Sequence, residues 1–419
     1  MTSTAPDIAR IQTRTVWVLS GAQALGGVAV AGSVAAGSLL TASVSGSEGM
    51  AGLAQTAGVT GAAVMALPLA RIALARGRRA SLATGYATGA VGAAVVIAGA
   101  LGRSTAWVLV GCLLVGVASA AGYQARYAAT DLADEDRRGR SLSWVVWAGT
   151  VGAILGPNLL QLSGSLALGL SLPQLTGPYL VTFATLVAAS AILVLLLRPD
   201  PYLLSRRLAQ AQESTSQRPR LRDGLEHLRG NRGALLGLLV VAGGHAVMVM
   251  VMVMTPIHMA HVDVTLQLIG LVISVHVAGM YALSPVVGWA VDRWGRIPVV
   301  WAGLATLLLA CGLAGFAPGD DVPLLGIGLF LLGLGWSATL IAGSTLLVDD
   351  ATPADRPSIQ GLSDLTMNVA GALGGAVAGL VVMVSSYGAL CAAAVVPIAA
   401  LAVLVVRWGR TASSGPPRQ

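Results

Sequence analysis

Twelve long apolar runs, each ended by a cluster of Arg, Asp, Pro or Gly, divide this chain of 419 residues. They cover 15–41, 49–73, 79–101, 105–130, 141–167, 175–197, 234–257, 266–290, 297–317, 323–348, 358–384 and 387–407. A helix needs about 20 apolar residues to cross the hydrocarbon core, where no water satisfies a bare peptide group. Twelve such crossings use roughly 240 residues and leave the rest for connections. Composition agrees: 55% of residues are hydrophobic, 10% are charged, and the mean hydropathy is +0.79. A soluble domain carries about a quarter charged residues, so a soluble fold, a disordered chain and a disulfide scaffold are excluded. The expected fold class is an all-α membrane protein with twelve transmembrane helices.

The net charge is +7, and every basic residue is an arginine. With so few charges in so apolar a chain, no nucleic-acid partner is expected; the bilayer is the expected environment. Cys112, Cys311 and Cys391 lie inside apolar runs without CxxC spacing, which reads as inert buried thiols. Residues 1–14 lack the short apolar core and small-residue cleavage site of a secretory leader, so the first run is expected to remain as a span.

Arginines alternate between connections. Arg10 and Arg14 precede the first run, Arg71, Arg76, Arg78 and Arg79 follow the second, and Arg137, Arg138 and Arg140 follow the fourth. Eight more, from Arg198 to Arg232, fill the long connection after the sixth run. Arg293 and Arg296, Arg356, and Arg407 with Arg410 continue the pattern. The alternate connections hold Glu48, Asp263, Asp320 and Asp321, with Arg103 as their one basic residue. The positive-inside rule then places both termini in the cytoplasm of a bacterial inner membrane.

Residues 198–233 form the one long polar stretch, with Pro199, Pro201, a Gln/Ser-rich part at 210–217 and a short helix-like run around 221–229. The expected organisation is a six-helix bundle over 1–197, a cytoplasmic linker over 198–233 and a second six-helix bundle over 234–419. One constant offset along the chain aligns Gly77 and Arg78 with Gly295 and Arg296, Asp131 with Asp349, Arg138 with Arg356, and Gly156 with Gly374. Such coincidences imply duplicated, pseudo-symmetric halves, the arrangement of transporters that rock two parallel repeats about a midplane site.

The connection after the eighth run carries Gly288, Asp292, Arg293, Gly295 and Arg296 in a GxxxDRxGR pattern. The chain resembles the major facilitator superfamily over its whole length, and this is that superfamily's loop signature. The resemblance implies that Asp292, Arg293 and Arg296 hold helix ends together in one state of a gate. The repeat-related loop keeps Gly77, Arg78 and Arg79 but has Leu74 in place of the aspartate.

A narrower resemblance rests on MxxxM in the seventh run, at Met248 and Met252 or at Met250 and Met254, and HxxxM in the eighth, at His276 and Met280. Together with Tyr123 to Asp131, the Gly156–Pro157 pair and Gln360 to Asp364, these motifs are similar to the CalT subfamily of CcoA-like copper importers. That resemblance implies copper as a substrate held by the Met and His side chains; one branch of the subfamily imports riboflavin instead.

The chemistry stands beside the resemblance. Cu(I) prefers thioether and imidazole donors, and neutral Met holds a cation in lipid without burying a carboxylate. At about 100° per residue, His245, Met248 and Met252 share an arc of about 60°, with Met250 and Met254 on the opposite side, toward lipid. His276 and Met280 share a face. Counting about 1.5 Å per residue puts Met248, Met252, His276 and Met280 at similar mid-bilayer depth. The expected metal set is those four, with His245 beside them as a further substrate ligand. His258, Met259, His261 and Asp263 in the following loop offer a capture site.

Asp131 and Arg126, near the cytoplasmic end of the fourth run, and Asp364 in the eleventh are read as helix-end charges for pairing and gating. Tyr123, Trp144, Trp147, Tyr281 and Trp336 are candidates to line a cavity for a planar ligand. No Walker loop or catalytic motif is present, so no enzyme activity and no cofactor are expected, copper entering only as substrate. The expected function is secondary transport of a small solute or metal ion by a monomer, with copper uptake leading. The alternatives are import or export of an organic molecule, riboflavin-like or drug-like, and a non-transporting sensor of the same fold.

Overall fold

The computed structural model of the chain describes residues 5–46, 50–212 and 221–413; Glu48 and positions 213–220 of the expected linker lie outside them. The described residues contain helices and no strand. In order these are α1 (Ala5–Ser45), α2 (Ala51–Arg76), α3 (Arg78–Leu101), α4 (Thr105–Ala128), α5 (Arg138–Asn158), α6 (Leu160–Gly169), α7 (Gly177–Leu196) and α8 (Pro201–Gln212). There follow α9 (Leu221–Gly230), α10 (Arg232–Ala260), α11 (Leu266–Tyr281), α12 (Ser284–Trp294), α13 (Arg296–Phe316), α14 (Val322–Val348), α15 (Arg356–Val384) and α16 (Tyr387–Ser413). By length and composition, eleven spans among the described residues suit a membrane crossing, or twelve when α5 and α6, bent by 57°, count as one.

Local chemistry sets several boundaries. Ser104, Asn231, Thr265 and Asp321 cap α4, α10, α11 and α14, each side chain accepting a backbone N–H of the first turn, which satisfies a donor the helix itself cannot. Gly77 and Gly295 turn the chain between α2 and α3 and between α12 and α13, with φ of 89° and 90°. An L side chain is strained there, so the repeat-related glycines are required by the turn.

Two departures from the twelve expected runs matter. The fifth is realised as the bent pair α5–α6, broken at Leu159 just after Pro157. The eighth is broken midway, between Tyr281 and Ser284. Pro285 has no N–H for the carbonyl one turn back, so the ladder cannot run through. Ser284 Oγ donates to the Met280 carbonyl at 3.2 Å and bonds Ser337 Oγ at 3.1 Å, which anchors the break to α14.

The chain forms two compact units. Unit 1 comprises Met1–Ala133, Trp144–Leu221 and Pro353–Leu365; unit 2 comprises Asp134–Ser143, Arg222–Thr352 and Thr366–Gln419. The repeat offset carries 134–143 onto 352–361, so the short segments that cross over are themselves repeat-related. Lipid is as apolar as leucine, so close backbone approach, more than transfer from water, holds such helices together. In unit 1, Gly152 of α5 lies on Gly27 of α1, and Gly92 of α3 lies on the backbone of α4 at Val115. In unit 2, α14 receives α10 through Gly237 against Gly343, and α11 through Gly279 against Phe330.

Candidate functional site

In unit 1, Arg78 opens α3 directly after the Gly77 turn and is completely buried. Its Nε donates to Asp131 Oδ2 at 2.8 Å and its Nη2 to Asp131 Oδ1 at 3.2 Å, a two-point pair; Nη2 also donates to Gln360 Oε1. Arg356, at the start of α15, donates through Nη1 to the carbonyls of Thr130 at 3.4 Å and Asp131 at 3.2 Å. One turn before Asp131, in α4, the fully buried Tyr127 bonds Ser363 Oγ at 3.1 Å. Arg126 donates to Asp364 Oδ1 at 3.0 Å, with its guanidinium 4.8 Å from the Tyr127 ring centre and 5.7 Å from that of Tyr123.

The two sequence-flagged charges at the end of α4 therefore do not serve each other. Their spacing matches neither i,i+3 nor i,i+4, so they point different ways: Asp131 serves Arg78, and Arg126 serves Asp364. Burying two such pairs carries a desolvation cost that tight geometry only just offsets. Stability alone is a poor reason to keep them.

Unit 2 repeats part of this arrangement. Arg296 follows the Gly295 turn and holds Asp349 through Nε at 2.7 Å and Nη2 at 3.0 Å. Arg138 adds 3.0 Å to Asp349 Oδ1 and 3.2 Å to its carbonyl, the counterpart of Arg356 on the Asp131 carbonyl. Asp292 Oδ1 accepts from the Gly139 N–H at 2.8 Å and Oδ2 from the Arg140 N–H at 2.9 Å. A carboxylate on the free N–H groups of a helix start gains both the bonds and the helix dipole. Arg293 is exposed. Of the residues in these clusters, Tyr127 and Ser363 lie inside the segments 123–131 and 360–364 that carry the narrower resemblance, without being candidate site residues there. Arg78 and Asp349 are marked by the internal repeat.

The Met and His motifs of unit 2 sit on helices that both pack on α14. His276 on α11 is completely buried, and its Nδ1 donates to the Leu329 carbonyl of α14 at 2.8 Å. That bond leaves Nε2 of the neutral ring bare, and no hydrogen-bond partner for it occurs among the described residues. Met280 and Met248 are buried and Met252 is half-buried. His245 takes the opposite tautomer: its Nδ1 accepts from Trp336 Nε1 at 3.1 Å. Met250, expected to face lipid, is instead buried against Gly374 of α15, where a Cβ would lie 3.2 Å from its Cγ. A helix apolar on every side gives no pattern to say which face meets lipid.

The loop donors are dispersed. His258 stacks on Tyr387 at 4.4 Å between ring centres and Met259 is completely buried, while His261 and Asp263 are exposed. Cys112, Cys311 and Cys391 are free and buried. Among the described residues, no group of three or more His, Cys, Asp or Glu is placed to hold a metal ion. Of the candidate aromatics, Trp144 and Trp147 cluster with Trp17 in unit 1 and Tyr123 lies under the Arg126 guanidinium, while Tyr281 meets Trp336 edge-to-face in unit 2, 5.9 Å between ring centres.

The profile of the Major Facilitator Superfamily matches residues 18–265 and 246–419. The chain belongs to this superfamily. It is 38% identical over 397 residues to the "Uncharacterized MFS-type transporter YdeG" of Bacillus subtilis (strain 168), covering 95% of this chain and 92% of that one. The "Riboflavin transporter RfnT" of Brucella anthropi is 29% identical over 357 residues, covering 84% and 85% of the two chains. Among solved structures, the E. coli fucose:proton symporter FucP superposes with a TM-score of 0.66 at 18% identity, covering 96% of this chain and 98% of that one. At that identity the likeness concerns the fold. The protein is a multi-pass membrane transporter of the superfamily, and proteins of this superfamily are not enzymes.

Proposed function

We propose that this chain is a secondary active carrier of a small organic solute, working as a monomer by alternating access in a bacterial inner membrane with both termini cytoplasmic. The observation that carries transport is the doubled arginine–aspartate pair, Arg78 with Asp131 and Arg296 with Asp349, at repeat-related positions. Ion pairs that add little net stability but make and break as a unit are suited to a two-state element. Asp292, Arg293, Arg126 and Asp364 belong to the same gating role. The riboflavin carriage in the name of RfnT supports an organic solute. So does the engagement of His245 with Trp336, which leaves that imidazole in an aromatic setting.

A second reading is copper uptake of the CalT type, favoured by the bare, buried Nε2 of His276 with Met280 one turn along and the buried Met248. Met248, Met252, His276 and Met280 are then the ligands. The test is counterflow in proteoliposomes loaded with riboflavin, or with Cu(I) held by a soluble thioether. Saturable exchange of labelled riboflavin that copper does not compete with supports the first reading. Copper exchange abolished by changing both His276 and Met280 to Ala replaces it with the second, and exchange of neither solute removes both.

A further inference from the structure

Three aromatic rings of unit 2 meet halfway along three different spans. His245 lies near the middle of α10, Trp336 near the middle of α14, and Tyr281 at the centre of the span Leu268–Trp294. Trp336 is the hub: its indole N–H donates to His245 Nδ1 at 3.1 Å, and its ring meets Tyr281 at 5.9 Å and 87°. The hub is 3% exposed, whereas His245 and Tyr281 are both half-buried. A well-packed indole thus stands behind two half-buried rings.

The backbone at this depth is irregular. α11 ends at Tyr281 and α12 begins at Ser284, so the helical ladder is interrupted in the middle of a membrane span. Broken ladders at membrane depth are tolerated where the backbone is covered by protein or lines a watery hollow, and transporters place solute sites at such breaks. The His245 ring also lies edge-on to Gly371 of α15, where a Cβ would stand 2.8 Å from its Cδ2 and Nε2. A larger residue would displace the ring. An intramembrane histidine is expensive and functional by default, and accepting the indole N–H fixes it as the neutral Nε2–H tautomer.

We propose that Tyr281, held edge-to-face by the buried Trp336, forms a stacking corner for a flat heteroaromatic solute, with His245 as a positioning residue that fixes the indole. The inference rests on the organic-carrier reading and deepens it. The indole at right angles to Tyr281 holds the phenol in place, and the half-buried phenol ring offers a planar ligand a face to stack on, a geometry that aromatic pairs prefer. Base-sized rings gain about tenfold or more in affinity from one such stack. The neutral imidazole adds no charge, so the corner suits an uncharged ring system of the isoalloxazine or purine class rather than a sugar.

The test is equilibrium binding to the detergent-solubilised full chain, with riboflavin and lumichrome as flat probes and xylose as the non-aromatic control. Both flat probes are expected to raise the melting temperature and xylose to leave it unchanged. Tyr281→Leu is expected to weaken riboflavin binding about tenfold, with Tyr281→Trp restoring it to near the wild-type value. His245→Leu is expected to weaken it by a smaller factor and to change Trp336 fluorescence without ligand, a change that a merely space-filling His would not produce. Unchanged affinity in Tyr281→Leu, or flat probes that fail to shift the wild-type protein, overturns the stacking corner. Riboflavin counterflow with unaltered KM in Tyr281→Leu sinks the corner and leaves the carrier reading standing. Tyr281-dependent binding without counterflow does the reverse.

Discussion

The charge cluster of unit 1 and that of unit 2 start from one plan and finish differently. Each begins with a glycine in the left-handed region, at φ of 89° or 90°, followed by an arginine that grips an aspartate 53 residues later. In unit 2 the pair is about 15% exposed, Asp349 is shared by Arg296 and Arg138, and Asp292 caps the start of α5. In unit 1 the pair is dry, at 0% and 1% exposure. Leu74 replaces the capping aspartate, and Pro357 stands at the repeat position of Gly139. Proline brings no N–H, so there is no donor at that position for an aspartate to cap. The two changes fit each other. What unit 1 has instead is the buried Arg126–Asp364 pair, which has no repeat counterpart: the equivalent positions are Ser344 and Val146. One lock is wet and built on a helix start; the other is dry and built on side chains.

Substitutions at matched positions would break that contrast if it is wrong. The largest effect is expected for Asp131→Ala, which strands a buried guanidinium and costs about 3–5 kcal/mol. Asp349→Ala leaves partly hydrated arginines and costs about 1.5–3 kcal/mol. Thermal unfolding of the two purified variants checks the order; equal losses would contradict a dry and a wet lock. Leu74→Asp, which restores the superfamily residue, is expected to destabilise by about 1–3 kcal/mol, because the new carboxylate is buried without a donor from Pro357. A gain in melting temperature would show that the cap can be rebuilt.

The turns sharpen the comparison further. Both Gly77→Ala and Gly295→Ala carry the left-handed cost of about 1–2 kcal/mol. At Gly77 the new Cβ also meets the Asp200 carboxylate, whereas at Gly295 the nearest atom is Pro298 Cδ at 3.9 Å. The unit 1 variant is therefore expected to be the less stable of the two. Smallest is Asp292→Ala, which removes a helix cap worth about 1 kcal/mol. Its loss is expected to shrink when wild type and variant are compared in high salt, since the Arg140 guanidinium paired with Asp292 is exposed to screening.

Much of this plan is legible in the sequence. Apolar run length identifies the spans, and the constant repeat offset already pairs Gly77 with Gly295, Arg78 with Arg296 and Asp131 with Asp349, because turns and charges in a membrane protein are rare enough to stand out. The faces of the helices are not legible. A span apolar on all sides has no polar stripe to orient it, so the wheel that separates Met248 from Met250 cannot say that Met250 packs on Gly374 while His276 turns to Leu329. Nor does hydropathy reveal a break inside a span. Pro285 is the one sequence sign of the interruption after Tyr281, and apolar residues on both sides mask it. The helix α8 within the polar connection is likewise invisible to an apolar count.

The most direct measurement is counterflow of labelled riboflavin in proteoliposomes holding the wild-type chain beside an Asp131→Asn variant. Carriage of an organic solute through states that the Arg78–Asp131 pair helps to hold predicts saturable exchange in the wild type and a clear change of rate in the variant. No exchange above empty liposomes, or exchange indifferent to the loss of that carboxylate, would contradict it.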